Sequence, residues 1–335
     1  MYFLLCEKKR ASKEETGCLI CASKFIAFFS KKKKVSKEET GCLICASKCI
    51  SFFAKRRKEN AFMIENIAGV ILRETPIGEA DKMMTVLTAK YGRISVFARG
   101  AKRLKSPLFT ASQLFSYSDL TVSKSTNGTY QLRSADLIES FYHIRDTLEG
   151  AALASYMADV AADIAVEDED ETSLFRLVLN CFHAISVKKK PLLQIKAVFE
   201  IRAAAEAGFL PNLVGCEECG ESEMETYYFD IASGIFRCER CFRAASARMA
   251  GLADKQSEAD GIYHTGQYIA LLSTSVFVAL RYAIYAKMER IFAFELKDEA
   301  LTDFASVCEK YLLCHFDRHF ATLDFFHTVF TPPKK

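Results

Sequence analysis

The sequence predicts an α+β multidomain protein in which a strand-rich segment precedes a mainly helical one. Short apolar runs separated by turn residues fill residues 63–141, whereas apolar positions recur at helical spacing through most of residues 142–335. The chain has 335 residues, of which 50% are hydrophobic and 26% are charged. That length is sufficient for two or three domains with sizeable cores.

Charge is unevenly distributed along the chain, although the formal net charge is only +3. Residues 1–60 contain 15 Lys or Arg against 6 Asp or Glu. Residues 61–150 contain 11 against 9, and residues 151–335 contain 19 against 27. The total therefore indicates no particular partner, but the pattern predicts three segments of different character.

The cysteine content favours metal binding in a reducing compartment over disulfide bonding. There are 13 cysteines, and several stand in Cys-x-x-Cys pairs. A secreted disulfide framework is typically short and evenly paired. The apolar run at 1–6 is too short for a signal peptide. Arg281 interrupts the apolar stretch 268–286, which we interpret as a buried core helix instead of a membrane span. We therefore expect a cytoplasmic protein with no membrane partner.

Residues 1–62 form a duplicated basic extension. The two tandem units, 11–34 and 35–58, are identical at 18 positions. We expect this extension to be disordered or to reflect a mis-assigned start, because Met63 begins a segment of different character. It contains two Cys-Leu-Ile-Cys pairs with the spacing of a zinc site, but duplication alone produces that spacing, so zinc is the weaker interpretation.

Residues 63–141 are predicted to form an OB-fold β-barrel. Five strand candidates occur there, each bounded by turn residues. These candidates are 66–74, 82–88, 93–99, 114–123 and 129–139. The Asn127-Gly128 pair favours a type I′ turn between the last two strands. Five short strands at this spacing are typical of a small Greek-key barrel.

A basic loop leaves the third predicted strand. Five cations lie within thirteen residues that contain no acid: Arg93, Arg99, Lys102, Arg103 and Lys105. Aromatic residues are interleaved through the same domain, although we expect about two-thirds of them to face the core. A basic groove with stacking rings is typical of proteins that hold single-stranded nucleic acid without reading its sequence. We predict that the five cations bind nucleic acid.

Residues 142–335 are predicted to form a mainly α-helical domain. Helices are expected over 146–166, over 173–187 with Thr172 as the cap, and over 192–207 with Gly208 as the stop. About three more helices are expected after residue 266.

A four-cysteine cluster interrupts these helices. It consists of two Cys-x-x-Cys knuckles, Cys216 with Cys219 and Cys238 with Cys241, and a β-hairpin is predicted between them. Such spacing allows four thiolates to surround zinc tetrahedrally, and it leaves no position for water or substrate. We therefore predict an inserted four-cysteine zinc knuckle over residues 211–246 with a structural role. The alternative is a set of buried free thiols without metal.

The motifs of several enzyme classes are absent from the sequence. There is no Gly-x-x-x-x-Gly-Lys phosphate loop, no His-Glu-x-x-His motif and no zinc-deaminase signature. No catalytic residues are therefore predicted, and we do not expect an enzyme.

The order of these parts resembles the RecO family of bacterial recombination mediators, from about Met63 to the C-terminal helices. The resemblance is carried by Gly69-Val70-Ile71-Leu72, Gly78-Glu79-Ala80-Asp81-Lys82, Gly92-Arg93-Ile94, Arg99-Gly100-Ala101-Lys102-Arg103 and Ala207-Gly208-Phe209-Leu210-Pro211. It implies binding of single- and double-stranded DNA without sequence preference, and annealing of complementary strands. It also implies that the chain acts with RecR to help the recombinase RecA replace single-strand-binding protein.

Further expectations follow from the same resemblance. The five barrel cations match the family's basic region, and the four knuckle cysteines match its zinc knuckle. The acidic, apolar C-terminal tail of single-strand-binding protein would dock on the helical domain, where Arg281 and Lys287 are candidates. A cytoplasmic, nucleoid-associated location is implied.

An interpretation from another class is a zinc-containing protein-interaction scaffold without intrinsic DNA affinity. From residue 61 onward the net charge is −6, which by itself argues against a nucleic-acid partner. The position of the five cations on a small barrel is what favours DNA. Salt-dependent DNA binding distinguishes the two interpretations.

Overall fold

The computed structural model describes residues 64–125, 128–253, 268–316 and 318–330. The predictions for the duplicated extension and for Asn127 lie outside these residues. The described strands are β1 (Ile64–Ile77), β2 (Asp81–Thr88), β3 (Gly92–Ala98), β4 (Tyr117–Lys124), β5 (Tyr130–Glu139), β6 (Thr226–Asp230), β7 (Ile235–Arg237) and β8 (Ile269–Ser273). The described helices are α1 (Leu108–Ala111), α2 (Leu148–Ile164), α3 (Thr172–Val187), α4 (Leu192–Glu206), α5 (Glu239–Ala253), α6 (Thr274–Tyr285), α7 (Asp298–His315) and α8 (Ala321–Val329).

Strands β1 to β5 form a closed barrel in the order β1-β2-β3-β5-β4. Neighbouring strands are antiparallel except β3 and β5, which run parallel where Val96 faces Tyr130. Alternate residues of β2 and β3 are buried, as expected for strands with one face in a core. The barrel core includes Ile67, Ile71, Met84, Val86, Ile94, Val96, Leu120 and Val122. The OB-like barrel is therefore confirmed, and each predicted strand has its counterpart.

Strand β1 faces two cores at once. Ile71 lies in the barrel core, whereas Val70 and Leu72 pack in the core of the helices. A strand that is covered on both faces has a continuous apolar run, which is what residues 69–72 contain. At Gly69 a Cβ atom would approach Val86 Cγ1 to 2.4 Å, so a larger residue would force the Val86 side chain to shift.

Helix α4 is the centre of the helical part. Every residue from Gln194 to Ala204 is buried, and α2, α3, α6 and α7 pack around it. The helix ends as the sequence predicts, because Gly208 has a φ of +94° that other residues rarely adopt. An α-helical domain that follows the barrel is confirmed.

Two predictions within the helical part are wrong. Residues 269–273, which we expected to begin one long helix, form β8 and pair with β6 before α6 starts. Short apolar runs do not distinguish strand from helix, and here a strand partner decides the outcome. Thr172 is the first residue of α3 instead of its cap, and the preceding Glu171 makes no capping bond through its side chain.

The barrel and the helices pack through a shared core. The ring of Phe115 contacts that of Phe182 at 5.2 Å between centroids, and Tyr117 contacts Phe175 at 5.7 Å. An ion pair of 2.8 Å between Arg73 and Asp159 joins β1 to α2. These contacts lie within a single compact unit, Ile64–Lys335, and they fix the position of the barrel against α2 and α3.

Candidate nucleic-acid interface and metal centre

The loop that follows β3 is anchored by its backbone to the turn between β1 and β2. Gly100 adopts a φ of +68°, and its N–H donates to Asp81 Oδ1 at 2.7 Å. The N–H of Lys102 donates to the carbonyl oxygen of Ala80 at 2.9 Å, and its Nζ donates to that of Gly78 at 3.2 Å. The loop therefore has a defined conformation that presents its side chains outward.

Four of the five predicted cations project from this loop. Arg99, Lys102, Arg103 and Lys105 are all exposed. Within the described part of the chain, the side chains of Arg99, Arg103 and Lys105 form no ion pair. Cations without acidic partners remain available to phosphate groups. We call residues 99–105 the basic loop.

Arg93 lies apart from the basic loop. It lies near the start of β3, at the end of the strand opposite the loop, about 20 Å from Arg99 along an extended strand. Its Nη1 donates to the carbonyl oxygen of Ala162 at 2.7 Å, and its Nη2 lies 3.6 Å from Glu167 Oε1. The structure thus places Arg93 in the contact between the barrel and α2, where an acidic side chain already faces it.

The aromatic residues of the barrel are more enclosed than a set of stacking platforms would be. Phe115 and Tyr130 are buried, and four other aromatics of the barrel domain are half-buried. Those four are Tyr91, Phe97, Phe109 and Tyr117. Of these, Phe109 lies next to the basic loop and contacts no other described aromatic ring.

Two clefts flank the basic loop. The outer cleft has a volume of about 520 Å³ and is lined by Asp81, Arg99, Gly100, Arg103, Lys105, Ser106 and Pro107. The inner cleft has a volume of about 620 Å³ and is lined by Glu74, Pro76, Lys82, Ala101, Lys102, Phe109, Gln113, Leu114 and Arg145. Gly100 lines the outer cleft and Ala101 and Lys102 line the inner one, so we describe residues 100–102 as a wall that the two clefts share.

The four predicted cysteines converge at one point. The Sγ atoms of Cys216, Cys219, Cys238 and Cys241 all lie within 4.8 Å of one another, and those of Cys219 and Cys238 are 3.8 Å apart. Four sulfurs about 2.3 Å from a metal ion form a tetrahedron with edges of about 3.8 Å. The donor set and its spacing therefore fit one tetrahedral metal ion.

Hydrogen bonds and burial act in opposite directions on these thiols. At Cys216 burial raises the pKa, but N–H groups from Cys238, Cys219 and Glu218 outweigh it and lower the pKa to about 6. The pKa of Cys241 is raised to about 12. The largest cause is its hydrogen bond with the Cys238 side chain, and the next is burial. The side chain of Arg240 bonds Cys219 and Cys241, which raises the pKa of the arginine. This cation offsets part of the negative charge that four thiolates would bring to a metal.

The knuckle rests on the helical core through a β-hairpin and its aromatic residues. Strands β6 and β7 pair as predicted, and Gly234 turns between them with a φ of +68°. The rings of Phe229 and Phe236 stack at 4.3 Å, and Tyr227 stacks on Phe277 of α6 at 4.0 Å. A metal ion at the cysteines would therefore hold one end of a hairpin that packs into the core.

Family models match both halves of this architecture. The model described as recombination protein O N terminal matches residues 63–141, and the one described as recombination protein O C terminal matches residues 145–324. The chain belongs to the RecO family. The second match alone covers more than half of the chain, and it includes the four-cysteine knuckle.

Relatives named DNA repair protein RecO occur in several bacteria. The protein from Acetivibrio thermocellus is 30% identical over 262 residues, which cover 78% of this chain and 96% of the relative. The protein from Alkaliphilus metalliredigens is 29% identical over 179 residues, or 53% of this chain and 72% of the relative. That from Bacillus subtilis is 31% identical over 180 residues, or 54% and 69%. As a RecO-family member, the chain has a role in DNA repair and recombination.

The sequence analysis missed two residues near the basic loop of this RecO-family chain, Lys82 and Arg145. Lys82 occupies an inward position in the alternating pattern of β2, and only 6% of its surface is exposed. Its Nζ donates to Glu74 Oε2 at 2.8 Å and to the carbonyl oxygen of Ser112. A lysine at an inward position of a strand was the available signal. Arg145 reaches the inner cleft from the helical side, which no local pattern could reveal.

Among the described helices of the RecO-family chain, none combines the length and the apolar composition that crossing a membrane requires.

Proposed function

We propose that the chain binds single- and double-stranded DNA without sequence specificity through Arg99, Lys102, Arg103 and Lys105 of the basic loop. The supporting observation is that these cations are exposed, clustered and, for three of them, free of acidic partners in the described structure. Phosphate contacts of this kind give affinity but carry no sequence information. Arg93, which the sequence also suggested, would contribute only if DNA displaced Glu167 from it.

Annealing follows from the same electrostatics. Two complementary strands repel each other, and a local cluster of cations screens that repulsion when both strands bind near it. We propose that the chain anneals complementary strands in this way and helps load the recombinase onto DNA coated by single-strand-binding protein. It acts by binding and positioning, without catalysis, in the cytoplasm and on the nucleoid.

Two protein partners belong to this proposal. One is RecR. The other is the acidic, apolar C-terminal tail of single-strand-binding protein, for which the helical part offers a cleft of about 420 Å³ lined by Tyr282, Ala286, Lys287 and Arg290. Two cations beside a half-buried tyrosine match the chemistry of such a tail.

We also propose that the metal at the four cysteines is zinc and that its role is structural. Zinc favours tetrahedral thiolate sites, and four cysteine ligands leave no open position for a reacting group.

Charge reversal on the basic loop tests DNA binding. Arg99→Glu, Lys102→Glu and Arg103→Glu together should lower the affinity for every DNA sequence by at least about tenfold. They should also flatten the slope of log affinity against log salt by about two to three units, because three phosphate contacts are lost. Fluorescence anisotropy between about 50 and 200 mM salt measures both quantities.

A matched control has the same change in net charge elsewhere. Lys189→Glu, Lys297→Glu and Lys310→Glu alter exposed cations of the helical part and should leave the slope unchanged. Equal losses of DNA affinity in both variants would show that net charge, and not the basic loop, determines binding. Failure of the unmodified chain to bind DNA at low salt would favour a protein-interaction scaffold.

A further inference from the structure

The inner cleft differs in chemistry from the basic loop beside it. Four of its lining residues are apolar: Pro76, Ala101, Phe109 and Leu114. Its volume of about 620 Å³ lies in the range of small-molecule sites. An apolar cleft next to exposed cations suits a ligand that has an uncharged planar part joined to an anion.

Hydrogen bonds hold two of the polar side chains that line the inner cleft, Lys82 and Arg145. Lys82 donates two of its three N–H groups to Glu74 and Ser112, so its charge is neutralised and its position fixed. Arg145 donates to the carbonyl oxygen of Leu114 and lies 5.8 Å from the Phe115 ring. Gln113 adds an amide that can both donate and accept a hydrogen bond. These groups can form hydrogen bonds with the edge of a polar ring, and they do not require one particular arrangement of donors and acceptors.

The outer cleft supplies the anion site on the other side of the wall. Arg99, Arg103 and Lys105 line it, and the Oδ1 of its one acid, Asp81, is occupied by the Gly100 N–H. Consecutive residues border the two clefts, Gly100 the outer one and Ala101 and Lys102 the inner one. A phosphate in the outer cleft can therefore be joined to a base in the inner one.

We propose that the inner cleft binds an unpaired nucleobase of a strand whose phosphates lie along the basic loop. The base would stack on Phe109, with its edge toward Gln113 and Arg145. A base in a duplex is paired and stacked, so it cannot enter, whereas the phosphates of either form can reach the loop. This inference rests on the proposed function and adds a preference for single strands to it.

Substitution of Phe109 tests the inference in the full chain. Phe109→Leu keeps an apolar side chain but removes the ring, and it should weaken binding of an oligothymidine by about 5- to 20-fold. Binding of an abasic oligomer of equal length and of a duplex should change less than about twofold, since neither offers a free base. Phe109→Tyr retains the ring and should restore oligothymidine binding.

Tyr91→Leu is the matched control, because Tyr91 is another half-buried aromatic of the barrel and lines neither cleft. It should leave all three affinities unchanged. Equal weakening of all three DNAs by Phe109→Leu would overturn the inference, as would no change in oligothymidine binding. The triple charge reversal on the basic loop distinguishes this inference from the proposed function. If that reversal weakens binding of all three DNAs while Phe109→Leu changes none of the affinities, the base-binding cleft is wrong and DNA binding by the basic loop still holds.

Discussion

Buried charged residues connect the helices at the centre of the molecule. Lys196 Nζ on α4 lies 2.7 Å from Glu200 Oε1 and 2.5 Å from Glu309 Oε2 of α7. The hydroxyl of Tyr156 on α2 donates to Glu200, and His327 of α8 contacts Glu309. Four helices thus meet at one cluster. Breaking a buried pair costs more than the pair contributes, because the remaining charge stays buried.

The buried Glu200 should make the free energy of unfolding depend on pH. Burial raises the pKa of Glu200 to about 7, although Lys196 acts in the opposite direction. The folded chain therefore retains a proton that the unfolded chain releases near pH 4.5. For this group the free energy of unfolding is greatest below about pH 4.5 and decreases as pH rises toward 7. Glu200→Gln, which has no proton to lose, should reduce that decrease by on the order of 1–3 kcal/mol.

Urea unfolding at several pH values from about 4.5 to about 7.5 measures the difference between the two chains. Glu225→Gln removes an exposed carboxyl and serves as the control, with the pH profile of the unmodified chain expected. A Glu200→Gln profile parallel to that of the unmodified chain would show that Glu200 is ionised throughout this range.

Single residues also mark the limit of what the sequence could predict. Arg99, Lys102, Arg103 and Lys105 follow one another along the chain, so local reasoning placed them together. Arg93 belongs to the same run of sequence, but an extended strand carries it to the opposite end of β3, where Glu167 faces it. Residues that are close in sequence are also close in space within a loop, but not when an extended strand separates them.

At the scale of elements, the knuckle combines local and distant contributions. Its cysteines and the β6–β7 hairpin are local in sequence, and both could be predicted from spacing and turn residues. Strand β8 comes from a later part of the chain, beyond α5, and pairs with β6 from Thr226 to Asp230. No local pattern identifies that partner, which is why the run at 269–273 was expected to be helical.

Metal binding should stabilise this element. Cys219 is exposed, so Cys219→Ser removes one of the four candidate ligands with little change in packing. We expect zinc to fall from about one ion per chain to well below that, and the Tm to decrease by more than about 5 °C. Metal analysis and thermal unfolding of the same sample measure both effects.

Cys314→Ser is the control for that experiment, because Cys314 is an exposed thiol outside the cluster. It should retain both zinc and Tm. If the unmodified chain binds no zinc and chelator leaves its Tm unchanged, the four cysteines are free thiols and the structural role is wrong.

At the scale of the whole molecule, the barrel and the helices form one unit with a shared core. The order of strands, helices and knuckle could be predicted because periodicity and turn residues are local properties. The shared core could not, since Phe115 and Phe182 are distant in sequence. The inner cleft could not either, because Lys82, Phe109 and Arg145 line it from three separate segments. We propose that a chain beginning at Met63 retains folding and DNA binding.

Strand annealing by the chain that begins at Met63 is the decisive test of the proposed function. Two complementary labelled oligonucleotides are mixed, and their pairing rate is followed at low and high salt. We expect annealing well above the spontaneous rate. High salt should suppress it, and the Arg99, Lys102 and Arg103 reversal should abolish it, whereas the Lys189, Lys297 and Lys310 reversal should not. Annealing that the basic-loop reversal leaves unchanged, or no annealing by the unmodified sequence from Met63, would contradict the proposal.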